Sequence, residues 1–247
     1  MSENRPEFSI VVPMKNEAEN VGHLVDAIET ACSGRNFEAI FVDDGSDDGT
    51  ADAARSLGKS WLRLVQHPRS AGQSAAVHSG VIAARAPIVC TMDGDGQNPP
   101  AEIPRMVAPL LEDNPPGLVA GERQGRKDTA SKRWASRFAN ALRGWMLKDG
   151  TRDTGCGLKA FRRDDFLRMP FFNHMHRYLP ALFKAHGLQV QHMPVSHSER
   201  HAGASNYTNL QRALVGIVDL FGVMWLIRRA KRVAPNETRW PDDPEPS

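Results

Sequence analysis

The feature of this sequence that most constrains its fold is a recurring junction, where an apolar, β-branched run breaks into acidic, amide and small residues. Phe8–Val12 runs into Pro13, Lys15, Asn16 and Glu17. Ala39–Val42 runs into Asp43-Asp44-Gly45-Ser46-Asp47-Asp48-Gly49-Thr50, and Ile88–Met92 into Asp93-Gly94-Asp95-Gly96-Gln97-Asn98-Pro99-Pro100. Two more runs, Leu62–Val65 and Leu118–Ala120, have the same strand-like character. Such uniformly apolar runs suit strands covered on both faces. Helix-like segments separate them. Val21, Leu24, Val25 and Ile28 repeat at i, i+3, i+4 and i+7; Asp47 or Asp48 is placed to cap a second helix; small residues from Gln73 to Ala84 supply a third. The alternation predicts an α/β fold, a doubly wound, Rossmann-like α/β/α sandwich around a mostly parallel central sheet.

That fold locates the chemistry, because ligands of open α/β sheets bind beyond the carboxyl ends of the strands. One acidic cluster there could be turn chemistry, since Asp and Gly dominate turns for conformational reasons. Three on one sheet edge form a candidate site. At a strand end, residues two apart point to the same side, so Asp93 and Asp95 can face one cavity. Gly94 between them adds no bulk and lets a ligand approach the backbone. Mg²⁺ and Mn²⁺ favour such places, with one or two carboxylates and the other positions taken by water and substrate phosphates. Asp93 and Asp95 are therefore candidate metal ligands.

The second half reads less regularly. Residues 131–147 are expected to form a helix with Trp134, Phe138, Ala141, Leu142 and Trp145 on one broad side, and Gly187–Met193 a late strand. Ala213–Ile227 is apolar except for Asp219. As a helix it would be roughly 22 Å long, short for a bilayer core that needs about 20 apolar residues. Two placements fit, a buried core helix or a helix lying in a membrane interface. The run Arg228, Arg229, Lys231 and Arg232 follows at once and favours the interface, with Trp225 near the headgroups.

At 247 residues the chain fits one large domain better than two. A net charge of +2 is too small to imply a nucleic-acid partner, and none is expected. Residues 123–143 are nonetheless basic, with Arg123, Arg126, Lys127, Lys132, Arg133, Arg137 and Arg143 against Asp128 alone. Cys32, Cys90 and Cys156 are odd in number and widely spaced, which fits neither a disulfide framework nor a zinc site. Cys90 and Cys156 read as buried structural residues. Met1–Glu7 lacks the charged-then-apolar layout of a signal peptide. A reduced, cytoplasmic compartment is expected.

Taken in order, Val11-Val12-Pro13-Met14-Lys15-Asn16-Glu17, Val42-Asp43-Asp44-Gly45-Ser46 and Asp93-Gly94-Asp95-Gly96-Gln97 resemble family 2 glycosyltransferases with the GT-A fold. Later pieces narrow the resemblance to polyprenol-phosphate transferases like dolichol-phosphate mannose synthase. These are Gly121-Glu122-Arg123, the basic helix with Arg133, Ser136 and Arg137, Asp153-Thr154-Gly155-Cys156-Gly157, and Arg200-His201-Ala202-Gly203-Ala204-Ser205-Asn206-Tyr207. The resemblance spans residues 8–230. It implies a hexosyltransferase that moves sugar from a GDP- or UDP-linked donor to a polyprenyl phosphate. The enzyme would be peripheral, at the cytoplasmic membrane face, and would build cell-envelope glycolipid. On this reading 1–207 is the GT-A domain, 208–232 an amphipathic interfacial helix and 233–247 a disordered tail.

Carried over by position, the resemblance implies that Pro13, Lys15 and Glu17 border the nucleotide and that Asp43 contacts its base or ribose. Asp93 and Asp95 would hold Mg²⁺ or Mn²⁺ and the diphosphate, with Gln97 near the sugar or the metal shell. Arg123, Arg133 and Ser136, with Arg137, would receive the acceptor phosphate, and Arg200 would close over the donor phosphates. The implied catalytic set is Asp95, Gln97, Arg123 and Arg133. Two departures stand out: Asn206 occupies the place of a lysine in the family's R-x-x-G-x-S-K pattern, and Gly94 the place of a frequent alanine. The membrane-spanning C-terminal helices of some members are not expected here.

An anionic phosphate acceptor needs no base, so the expected chemistry is positioning and charge management in an inverting displacement. Rival readings are a family 2 transferase acting on a saccharide hydroxyl, with Asp153 as base, and a catalytically silent membrane-associated scaffold. A sugar nucleotidyltransferase would want a Gly-rich basic loop that Pro13–Glu17 does not provide. His174, His176, His192, His197 and His201 lack ligand spacing for zinc and are expected to line the acceptor side or the surface.

Overall fold

A computed structural model of the chain describes residues 5–124, 143–144, 146–147, 149–196 and 209–230, with side chains in the last segment from Gly216 onward. The order is β1 (Phe8–Met14), α1 (Ala18–Ala31), β2 (Phe37–Asp43), α2 (Thr50–Ser56), β3 (Leu62–Gln66), α3 (Gln73–Ala83), β4 (Ile88–Thr91) and α4 (Ile103–Val107). There follow β5 (Leu118–Arg123), β6 (Lys159–Arg162), α5 (Arg163–Leu167), α6 (Leu179–Ala185), β7 (Val190–Val195) and α7 (Asn209–Arg229). The sheet runs β3-β2-β1-β4-β6-β5-β7. β1 is parallel to β2 and β4, while β6 is antiparallel to both its neighbours. This is the expected α/β sandwich.

Alternation along the strands sorts the core into two layers. Ile10, Val12, Ala39 and Phe41 pack with Val21, Leu24, Val25 and Ile28 of α1. Val11, Ile40 and Val42 point the other way, onto Ala76, Val77 and Val81 of α3. Each large side chain so covered stabilises the fold by about 1.5–3 kcal/mol. The small residues of α3 have a steric cause: a Cβ on Gly80 would strike Val11 and come within 3.0 Å of Val42. The helix lies that close to the sheet.

A buried carboxylate ties the strands together. Glu38 accepts from Ser9 Oγ (2.7 Å), the Arg85 amide (2.6 Å) and Arg63 (2.8 Å). Burial alone would raise its pKa, but the Arg85 amide, the Ser9 hydroxyl and Arg63 outweigh burial and hold it below the usual value. A depressed folded pKa contributes stability that is complete above the unfolded value, about 4.3, and is lost as pH falls through the folded one. Thermal melts should therefore show wild-type stability falling below pH 4, with a shallower fall in Glu38→Gln.

Several boundaries differ from the expectation. The late strand is Val190–Val195 rather than Gly187–Met193. Gly187, at φ 79°, ends α6, its N–H donating to Lys184 O and that of Leu188 to Phe183 O, the hydrogen-bond pair of a Schellman cap. The N-cap of α2 is Gly49, in a left-handed conformation, rather than an aspartate. Asp48, one residue earlier, accepts from the Thr50 amide at 3.0 Å. β6, α4, α5 and α6 are not anticipated by the sequence pattern. Most of the 131–147 helix and all of 233–247 lie outside the described residues. α7 extends beyond the apolar stretch at both ends, and no described helix is long and apolar enough to cross a membrane.

Candidate functional site

The strand order reverses between β1 and β4: the chain passes outward through β2 and β3, then returns to β4 on the other side of β1. At such a switch point the connections leave in opposite directions and open a crevice at the strand ends. The three polar clusters meet there, beyond β1, β2 and β4.

The first two clusters are laced together. Asn16, at φ 56°, donates its amide to Ser46 Oγ (2.9 Å) and accepts from the Asp47 amide (3.1 Å). The Glu17 amide donates to Thr50 Oγ1 (2.9 Å) and the Ala18 amide to Asp48 (3.0 Å). The Glu17 side chain accepts from Asn20. Pro13 is half-buried and Lys15 exposed. Asp43 is buried and accepts from the Ser46 amide at 3.0 Å.

Asp44, assigned no role from the sequence, organises the segment after β3. It accepts from Ser70 Oγ and the amides of Ala71 and Gly72, each at 2.8 Å, and lies 2.7 Å from His67 Nδ1. His67 Nε2 in turn lies 2.9 Å from Ser79 Oγ. Burial works against the Asp44 charge, but the Ala71 amide, His67, Ser70 and the Gly72 amide hold its pKa below the ordinary value. Gly45 makes this possible: at φ 69°, its added Cβ would sit 2.7 Å from the backbone of Arg69. Asp44→Ala would strand these donors. A loss of about 2–3 kcal/mol in denaturant unfolding is expected.

The third cluster forms the floor. Asp93 accepts from Gln73 Nε2 (2.8 Å) on one oxygen and from Asn98 Nδ2 (3.0 Å) on the other. Gly157 packs so closely that a Cβ there would overlap the Asp93 carboxylate. Asp95 accepts from the Gln97 amide at 3.1 Å. Burial, and then the neighbouring Asp95, push the Asp93 carboxyl above its usual range, while Lys159, Asn98 and Arg123 act in the opposite direction. A small cavity beneath is lined by Pro13, Gln73, Thr91, Asp93, Lys159 and His176. Lys159 is buried, donates to Cys156 O, and is depressed in pKa chiefly by burial.

Paired hard carboxylates of like charge suit a divalent cation, which would relieve their repulsion. Among the described residues no group of three or more His, Cys, Asp or Glu is placed to hold a metal. The two carboxylates of Asp93 and Asp95 by themselves fit a hard ion that takes its remaining ligands from water and phosphate.

Arg123 points back into the protein. Its Nε and NH2 grip Asp153 at 2.6 and 2.8 Å, and its amide donates to the same carboxylate. The Gly155 amide adds a fourth bond to Asp153. Both oxygens of Asp153 are thus engaged by donors from within the protein. Arg133, Ser136, Arg137, Arg200, Asn206, His197 and His201 lie outside the described residues.

The remaining histidines of that group have defined partners. His176 is half-buried and lines the same cavity as Asp93, with Nδ1 2.7 Å from Ser74 Oγ, and desolvation holds its pKa well down. His174 pairs with Asp219 at 2.8 Å and His192 lies 3.2 Å from Glu122. Cys90 and Cys156 are buried, as expected.

Comparison with known proteins places this geometry in company. The Glycosyl transferase family 2 profile matches residues 9–169. Dodecaprenyl-phosphate galacturonate synthase of Rhizobium johnstonii is 36% identical over 234 residues, covering 92% of this chain and 69% of that protein. Undecaprenyl-phosphate 4-deoxy-4-formamido-L-arabinose transferase of an Enterobacter species is 34% identical, covering 81% of this chain, which spans 62% of that relative's length. Among solved structures, glucosyl-3-phosphoglycerate synthase from Mycobacterium tuberculosis, in complex with Mn²⁺, UDP and glucosyl-3-phosphoglycerate, superimposes with a TM-score of 0.70 at 20% identity. The match covers 90% of this chain and 80% of that one. The fold is that of the GT-A glycosyltransferases.

Proposed function

This chain belongs to glycosyl transferase family 2, and on that premise we propose that it transfers a sugar from a UDP- or GDP-linked donor to a polyprenyl phosphate. The observation that carries the reading is the pair Asp93 and Asp95 at the switch point, flanked by the polar ends of β1 and β2. The lipid acceptor is taken from the two relatives, which are named for dodecaprenyl and undecaprenyl phosphate.

The donor lies across the crevice with its nucleoside between Pro13–Glu17 and Asp43, and its diphosphate over Asp93 and Asp95. A bound Mg²⁺ or Mn²⁺ supplies charge neutralisation for the departing nucleoside diphosphate. The amides of Gln73 and Asn98 keep the Asp93 carboxylate aimed, so no reorganisation is needed as charge develops. The acceptor phosphate is already anionic near neutral pH, so no residue has to remove its proton. Arg133, Ser136 and Arg137 bind that phosphate, Arg123 with its Asp153 partner borders it, Gln97 stands by the sugar and Arg200 covers the donor phosphates. In-line attack inverts the anomeric centre.

We infer that the enzyme acts as a peripheral protein at the cytoplasmic face of the membrane; the exposed Phe221 and Trp225 of α7, with Arg228 and Arg229 at its end, support contact with anionic lipid. The test is radiolabelled transfer from a panel of UDP- and GDP-sugars to a short polyprenyl phosphate, with Mn²⁺ or Mg²⁺ and with EDTA. Lipid-linked product of inverted configuration that EDTA abolishes is the expected result. Donor hydrolysis without lipid product would move the acceptor to another class. A product retaining the donor's configuration would overturn the single displacement.

A further inference from the structure

The apolar stretch of α7 carries one acid, Asp219, and the fold gives it a partner. Its Oδ2 lies 2.8 Å from Nδ1 of His174. His174 stands in the left-handed region at φ 66°, a conformation uncommon for residues bearing a Cβ. Nearby, Tyr178 donates its hydroxyl to Gly216 O at 3.3 Å. Leu220 and Val223 bury against Leu147, Tyr178 and Ala181 on the same side of the helix. Gly216, Asp219, Leu220 and Val223 thus form the inward stripe, with the 3- and 4-residue steps of one helix face.

The outward side is also apolar. Val218 is 72% exposed and Phe221 and Trp225 are 61% exposed. Arg229 lies over the Trp225 ring at 6.0 Å, joining that face to the basic end of the helix. Because both sides of the helix carry large apolar residues, hydrophobic packing alone does not choose between them: Val218 and Phe221 could fill a groove as Leu220 and Val223 do. A hydrogen-bonded acid is different, since rotating the helix would strand Asp219 among apolar groups without its partner.

Building on the lipid-acceptor reading above, we propose that the His174–Asp219 pair, supported by Tyr178, is a rotational lock on α7. It holds Val218, Phe221 and Trp225 outward as the lipid-facing edge. It thereby sets the angle at which the crevice meets a membrane-held acceptor phosphate. His174 and Asp219 are positioning residues and touch neither donor nor acceptor.

The test compares full-length wild type, Asp219→Leu and Asp219→Asn on two acceptors. One is a long-chain polyprenyl phosphate in phosphatidylcholine–phosphatidylglycerol vesicles; the other is a short, water-soluble prenyl phosphate. Asp219→Leu makes α7 more apolar, so it should co-sediment with vesicles at least as well as wild type. Its transfer into vesicles should nevertheless fall about tenfold, with transfer to the soluble acceptor unchanged. Asp219→Asn keeps an oxygen for His174 and should retain most of the vesicle activity. Wild-type transfer into vesicles by Asp219→Leu would overturn the lock, as would an equal loss on both acceptors, which marks a defect of fold or site. If wild type glycosylates the soluble acceptor but never binds vesicles, the membrane part of the functional reading falls and takes the lock with it, while sugar transfer stands.

Discussion

Asp95→Asn is expected to reduce sugar transfer by on the order of a thousandfold, the scale of losing charge stabilisation of a leaving group, while leaving the protein folded. The substitution is nearly isosteric, and its retained oxygen can still accept from the Gln97 amide. It removes one of the two charges that make the crevice attractive to a divalent cation. A ligand that binds the folded state raises its stability, so Mn²⁺ should raise the melting temperature of wild type and leave that of Asp95→Asn unmoved. Asp93→Asn is a less clean experiment. Its amide nitrogen would face a donor from either Gln73 or Asn98, so part of any loss would be structural. An Asp95→Asn enzyme with wild-type metal-dependent turnover would remove these carboxylates from the mechanism.

Gly157→Ala is expected to lower transfer about a hundredfold, the cost of displacing a site group by roughly an ångström, through one methyl group. The added Cβ would overlap the Asp93 carboxylate itself, its carbon and both oxygens. Asp93 has no easy retreat, since each oxygen is already held by an amide. Gly155→Ala, two residues earlier, is the control. There the nearest atom is the end of the Arg123 side chain at 3.0 Å, a contact that a shift of a few tenths of an ångström relieves without breaking the Asp153 pair. A kinetic comparison should show a severe loss for Gly157→Ala and a mild one for Gly155→Ala. Equal effects would mean that the close approach at Gly157 does not set the position of Asp93.

What could be read from the sequence was what local pattern encodes. β1, β2 and β4 are buried on both faces, so their apolar runs stand out, and the acidic clusters begin where those apolar runs end. The α1 stripe was legible because its four apolar residues recur at helical spacing, and all four are buried. β6 was hidden because its four residues, Lys159–Arg162, begin and end with a cation. Lys159 is buried by virtue of the Cys156 carbonyl and the carboxylates of Asp93 and Asp153 around it, and the order of residues carries no mark of that. The same holds for the clamp on Asp93. Asn98 was in view, five residues along the chain, but Gln73 and Gly157 reach the site through folding alone. Arg123 was found by resemblance, while its engagement with Asp153 depends on a pairing thirty residues apart.

The segment from His67 to Gln73 has two masters. At one end Asp44, from the close of β2, fastens His67, Ser70, Ala71 and Gly72. At the other, Gln73 reaches across to steady Asp93 at the close of β4. A change made to admit a different nucleoside beside β2 would therefore travel one residue further and retune the grip on the diphosphate. On the proposed reading, donor preference and metal affinity are expected to change together, so an engineer altering one would select for both.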